Sequence, residues 1–168
     1  MDVNIGMAQK LTSPNPFALV STVRPDGGAN LMALSWWTYA SNRPPMVTVC
    51  LSKKGWSGEL IQETGKFGLN IVDESLAEAA FSCGTCSGRK VDKPTVFGIE
   101  MQMGETLQVP VVKASKVSME CRLVSVTEAS DHNLYLGEVV ATYFDPECRQ
   151  LYAWDGYAGL SALKDKGE

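Results

Sequence analysis

Three short stretches of the 168-residue chain carry side chains of the kind that do chemistry. In the first, Ser52, Lys53, Lys54, Gly55, Trp56 and Ser57 separate an apolar run from a helical pattern. A turn that opens a helix presents free backbone N–H groups, which suit a phosphate. Lys53 and Lys54 add charge there, as point charges and not as a bidentate fork. A solvated basic turn is the plain alternative. In the second, Ser82, Cys83, Gly84, Thr85, Cys86, Ser87 and Gly88 lead on to Asp92, Lys93 and Pro94. Residues this small let a backbone come close to a flat ligand, although an ordinary surface loop has the same composition. Cys83 and Cys86 form a C-x-x-C pair, but a thioredoxin-like dithiol belongs in a βαβ context that is missing here. Structural thiols are the simpler explanation. The third stretch, Asn30 to Tyr39, ends in Ser35, Trp36, Trp37 and Thr38. Neighbouring residues of a strand face opposite ways, so one tryptophan can join a core while the other needs a second surface. Aromatic packing alone accounts for the pair equally well.

Other chemistries find little support. No G-x-G-x-x-G follows a strand and opens a helix, and there is no P-loop. Five cysteines with one histidine, His132, make a poor zinc site, and an odd count does not suggest a disulfide framework. The net charge of −4, with no Lys/Arg run longer than two, argues against a nucleic-acid footprint or a polybasic membrane anchor. Met1 to Gly6 has neither the basic nor the apolar region of a signal peptide, and no stretch approaches the roughly 20 apolar residues of a membrane span. A cytoplasmic protein with no nucleic-acid or membrane partner is expected.

The elements that must position these stretches are mostly strands. Phe17 to Val23 and Ala29 to Leu34 flank a Pro-Asp-Gly turn at 25–27 and read as a hairpin. Pro44 and Pro45 interrupt the chain before a buried strand, Met46 to Leu51. A helix follows, with Ser57 as its cap, Glu59 in its first turn and Gly65 as its stop. Phe67 to Val72 is another strand, and Ser75 with Glu78 suggests a capping box opening a second short helix toward Phe81. The stretch 82–90 has no period. A long strand near Val117 to Val126, a partner from His132 to Phe144 and a short strand from Gln150 to Trp154 complete the pattern. With 45% hydrophobic residues and no linker or repeat, one domain over 1–168 is expected, mainly β with short helices, as an antiparallel barrel.

Five segments occur in an order and at separations that resemble a known family: Asn30 to Trp36, Arg43 to Val49, Gly65 to Asn70, Ser87 to Lys93 and Leu136 to Val139. The sequence resembles the flavin reductase-like proteins with an FMN-binding split barrel, flavoredoxins included, from about Pro14 to about Tyr157. The resemblance implies a Greek-key antiparallel split β-barrel that binds FMN, with FAD possible, at a homodimer interface. By that resemblance, Met32, Ala33, Leu34, Ser35, Trp36 and Trp37 line the ring, and backbone N–H groups of 33–35 meet its polar edge. Ser52, Lys53, Lys54 and Ser57 hold the phosphate. Ser82, Cys83, Gly84, Thr85, Ser87 and Gly88 close over the flavin, and Lys93 lies beside it. No side chain acts as a nucleophile or general acid. Asp131 and His132 match a position where some nicotinamide-dependent relatives use a histidine, though a plain hairpin turn explains them equally. The sequence departs from the family in its Trp36–Trp37 pair, its lysines in the phosphate turn and Pro94 after Lys93. The implied function is that of an NAD(P)H-dependent flavin or ferric reductase. The alternatives are an electron carrier served by a redox protein partner and a barrel that binds without catalysis.

Overall fold

The computed structural model describes residues 3–163, so both ends of the domain expected over 1–168 lie outside the described residues. In chain order the elements are α1 (Ile5–Leu11), β1 (Asn15–Pro16), β2 (Ala18–Val23), β3 (Ala29–Leu34), β4 (Trp37–Asn42), β5 (Pro45–Ser52), α2 (Trp56–Thr64) and β6 (Lys66–Val72). A 3-10 turn (Glu74–Leu76), α3 (Ala77–Cys83), α4 (Lys93–Phe97), β7 (Met101–Met103), β8 (Pro110–Val112), β9 (Ser115–Ala129), β10 (His132–Phe144), β11 (Tyr152–Trp154) and β12 (Gly159–Ser161) follow.

The main sheet has seven strands in the order β3-β2-β6-β9-β10-β5-β4, with every neighbouring pair antiparallel. β3 and β4 are its two outer strands, yet only Ser35 and Trp36 lie between them in the chain. Two residues reach about 10 Å at most. The sheet must therefore roll until its edges nearly meet, and it stays split where they do. Cys50 N–H donates to Trp36 C=O (2.9 Å) at that seam.

Rolling buries both faces of β2. Ala18 and Val20 point into the barrel with Val47, Val49, Phe67, Leu69 and Tyr135. Phe17, at its start, and Leu19 point outward into a second core with Ala80, Cys83, Ile99 and Leu151, under α3 and the small β1-β11-β12 sheet. A fully buried Phe67 or Leu69 contributes about 1.5–3 kcal/mol. The second core holds α3 and the loop after it beside β3.

Several expectations are corrected. The α2 cap is Gly55, because a turn closed by Gly55 N–H on Ser52 C=O (2.9 Å) starts the helix one residue earlier than Ser57. The Ser75–Glu78 capping box does not form. Asp73 caps instead, accepting from Ser75 N–H (3.0 Å), while Arg149 N–H (2.6 Å) holds its other oxygen. The long strand runs further than expected, over Ser115–Ala129, and the last expected strand begins at Tyr152. The aperiodic stretch 82–90 takes in the last two residues of α3 and runs on toward α4, which the sequence does not foreshadow.

Candidate active site

One trench runs along the outer edge of β3. Its main cavity encloses about 390 Å3 and adjoins two smaller ones of about 210 and 260 Å3. Ala33 lines all three. The combined space lies within the ordinary range of small-molecule sites, about 300–1,000 Å3.

The floor is an unpaired sheet edge. Residues of a strand direct their backbone groups alternately to either side. Leu31 C=O accepts from Lys93 Nζ (2.8 Å) and not from β2, so Leu31 faces outward. Ala33, two residues on, repeats that orientation and presents its N–H to the trench. Met32 lies beside it, and Leu34, Ser35 and Trp36 continue the floor into the second cavity. Ser35 faces the Tyr157 hydroxyl. Burial raises the Tyr157 pKa, although the polar groups of Ser35 favour the ionised phenol.

The first wall is the turn 52–55 with the first turn of α2. No side chain caps α2, so its leading N–H groups are left for a ligand. Ser52, Lys54 and Ser57 line this end. Asn30 Nδ2 donates to Ser57 Oγ (2.9 Å) and to Thr22 Oγ1 (3.0 Å), all buried. Ser57 Oγ thus accepts, and its own proton remains to donate. Lys54 enters no ion pair among the described residues, whereas Lys53 pairs with Glu128.

The second wall is the end of α3 with the loop that follows. Cys83, Gly84, Thr85, Ser87 and Gly88 line it. A Cβ at Gly88 would collide with Asn30 Oδ1 and touch the Trp56 ring, so only glycine lets this loop close on the first wall. Arg89 adds a clasp, with its guanidinium 5.3 Å from the Trp56 ring centre and paired with Glu59. Lys93 is buried at the base, donating to Leu31 C=O and to Cys83 C=O (2.6 Å). Burial lowers its pKa, opposed by the Cys83 and Cys86 thiols. Two of its donors tie β3 to α3, leaving the third for the trench.

Three of the expected site residues lie outside these linings. Trp37 packs against the barrel core and meets Tyr39 edge-on at 5.5 Å. Lys53 points to Glu128. The Ser82 carbonyl closes the turn at Thr85, and its side chain does not line the trench. Trp36 and Trp37 do take separate surfaces, because Trp36 stands before β4 and stacks on His132 with ring centres 5.0 Å apart. His132 Nδ1 meets Asp131 Oδ1 (2.9 Å), and the ring lines the second cavity with Cys50 and Tyr157. Asn30, Trp56 and Tyr157 were missing from the expected site. Asn30 alone left a signal, as the polar residue of an otherwise apolar strand.

A flavin mononucleotide fits these residues. The uncapped helix end and Lys54 suit its phosphate, the open β3 edge suits a hydrogen-bonding ring edge, and the Gly84–Gly88 loop leaves room for a flat ring. When bound, the flavin accepts a hydride and passes its electrons on. The protein's own part would then be to hold the phosphate at α2, to offer Ala33 N–H to the ring and to keep Ser57 oriented through Asn30. Among the described residues no His, Cys, Asp or Glu cluster is arranged for a metal, and no helix is long and apolar enough to cross a membrane.

A rolled antiparallel sheet with this trench at its split is the architecture of the flavin-binding split barrels. Residues 11–161 match the flavin reductase like domain, and the chain belongs to that family. It is 32% identical over 126 residues to a protein of Aeropyrum pernix, covering 74% of this chain and 48% of that one, so it spans about half the length of that relative. It is 28% identical to the flavin reductase (NADH) of Kitasatospora aureofaciens, across 80% of this chain and 68% of the other. Among solved structures, flavoredoxin from Methanosarcina acetivorans superposes with a TM-score of 0.84 at 27% identity, covering 100% of this chain and 93% of that one. The FMN-binding protein from Thermus thermophilus does so at 0.80 and 25%, covering 95% and 93%.

Proposed function

We propose that residues 1–168 form one flavin reductase-like domain that binds FMN in the trench and acts as an NAD(P)H-dependent reductase. The observation that carries this is a single continuous cleft. An uncapped helix N-terminus and Lys54 stand at one end, the free β3 edge lies below, and the second cavity with His132 adjoins. The relative named flavin reductase (NADH) supports the nicotinamide donor. Trp36 and His132 flank open space large enough for a second ring beside a bound flavin. FAD is the alternative cofactor.

The working form is a homodimer. Phe144, Tyr39 and Trp36 are exposed at 71, 65 and 44%, which is much aromatic surface for a lone chain. A cytosolic location accords with five free thiols. The test is a visible spectrum during FMN titration, followed by anaerobic NADH or NADPH in a stopped-flow instrument. Rapid loss of the flavin absorbance is expected. Tight FMN without bleaching by either nucleotide would point instead to an electron carrier of the flavoredoxin kind. No FMN binding at all rejects the proposal. Sedimentation tests the dimer.

A further inference from the structure

Flavin binding makes no use of a thiol, yet the loop wall of the trench carries two. α3 ends at Cys83, and the chain continues through one more turn: Gly84 N–H donates to Phe81 C=O (2.9 Å) and Thr85 N–H to Ser82 C=O (3.1 Å). That places Cys83 and Cys86 one turn apart, and Cys86 Sγ approaches Ser82 C=O at 3.8 Å. Side chains three residues apart on such a turn have Cβ atoms about 5–6 Å from each other. A disulfide needs about 3.5–4.5 Å, so a small tightening of the turn joins them. Both residues line the main cavity, Cys83 buried at its base and Cys86 half-exposed. The buried Lys93 ammonium interacts electrostatically with both thiols. The remaining three thiols are placed otherwise: Cys50 lines the second cavity beside His132, Cys121 is sealed in the barrel core, and Cys148 lies in a separate cavity with Lys116 and Arg149.

We propose that Cys83 and Cys86 are a redox-active dithiol of the flavin trench that exchanges with low-molecular-weight disulfides. Its electron source rests on the flavin reductase function proposed above. The Cys86 thiolate attacks one sulfur of the incoming disulfide, releasing a thiolate and leaving a mixed disulfide on Cys86. Cys83 then attacks the Cys86 sulfur, releases the second thiolate and closes the Cys83–Cys86 bond. The two protons leave with the two product thiols. Reduced flavin in the trench returns two electrons and two protons to that bond and is itself reoxidised, restoring both thiols. The roles follow exposure: Cys86 is open to solvent, while burial pushes the Cys83 thiol up to about 11 despite Lys93. Cys83 is therefore the resolving partner.

The test uses the full chain loaded with FMN under anaerobic conditions, with oxidised glutathione as the disulfide. After a denaturing quench with an alkylating reagent, peptide masses should show Cys83 and Cys86 joined within one chain and Cys50, Cys121 and Cys148 alkylated. Cys83→Ser should trap glutathione on Cys86, and Cys86→Ser should abolish pairing. Excess NADH or NADPH added to the oxidised, loaded chain should restore two alkylatable thiols. If the two cysteines stay alkylated, or if glutathione remains on Cys86 in the unaltered chain, the dithiol is rejected. A bond that survives both nucleotides, in a chain whose flavin they bleach, rejects the electron route. A chain that binds no FMN overturns that route and the proposed function together. FMN bleaching without thiol pairing overturns the dithiol alone.

Discussion

The two walls of the trench face the same space but are held by different chemistry. The α2 wall is fastened by side chains. Asn30 bridges β3 to Ser57 and Thr22, and Gly58 packs so closely on buried Tyr135 that a Cβ there would strike its hydroxyl. The loop wall hangs mainly on carbonyl groups: Ser82 C=O closes its turn, Ser87 C=O accepts from Lys90 and Val91 N–H, and one buried ammonium joins Leu31 and Cys83, while the Arg89 clasp on Trp56 and Glu59 is half-exposed. A wall pinned by interdigitated buried side chains keeps its geometry whether or not a ligand is present. A wall held by backbone turns, one strut and a solvent-screened clasp can open locally, because such segments unfold at less cost than the global structure. The difference makes α2 the fixed wall and 84–92 the adjustable one. Asn30 connects them, since its other amide atom is the surface Gly88 rests against.

Breaking that connection should have the largest effect. Asn30→Ala leaves two buried hydroxyls short of a donor, at about 1–3 kcal/mol each. Urea unfolding should show a loss of about 2–6 kcal/mol, and FMN affinity should fall by about tenfold or more, the equivalent of about 1.4 kcal/mol. Unchanged affinity would mean that the walls do not depend on each other. Next is Lys93→Met, which strands two carbonyls at about 1–3 kcal/mol in total. Hydrogen exchange should rise across 84–92 while the α2 amides stay protected; equal rises in both would erase the contrast between the walls.

A pH experiment far from the trench supplies the control. Glu120 is buried, which by itself raises its pKa, but bonds from Tyr143, Thr106 and Leu107 outweigh that and hold it below its ordinary 4.5. A depressed carboxyl stabilises the fold above its unfolded pKa. That stability is lost as the pH falls below about 4.5 and through the folded value. Glu120→Gln should flatten this acid limb of the melting curve without altering FMN affinity at neutral pH. The smallest effect separates two adjacent lysines. Lys54→Ala should weaken FMN binding about three- to tenfold at low salt, a difference that shrinks as salt screens the phosphate. Lys53→Ala should stay within about twofold, because its exposed pair with Glu128 contributes only about 0–1 kcal/mol. Equal effects from the two would mean that Lys53 leaves Glu128 when the phosphate arrives.

Much of the fold is legible along the chain. Apolar β-rich runs, the Pro-Asp-Gly turn at 25–27 and Gly65 mark β2, β3, β5, β6 and α2, because periodicity and turn chemistry act over a few neighbouring residues. The Ser52–Ser57 turn is legible for the same reason: a helix start leaves its N–H groups unpaired wherever it lies, and α2 does open there without a side-chain cap. The short elements α4, β7, β8 and β12 are not legible, since three to five residues carry too little pattern to outweigh tertiary context.

What the sequence by itself determined is therefore the longer strands, a lysine-bearing turn at the start of a helix and the family to which the chain belongs. The tertiary structure alone decided which of those residues meet. Ser35 and Trp36 look like the middle of one strand, yet the chain leaves one edge of the sheet there and joins the other. Lys53 and Lys54 are identical in type and adjacent, but the turn at 52–55 sends one to Glu128 and the other to the trench. Lys93 turns inward to two carbonyls, and Asn30 gathers Thr22, Ser57 and Gly88 from separate elements. Each of these depends on hydrogen bonds and contacts between residues far apart in the chain. Their geometry exists only once the sheet has rolled.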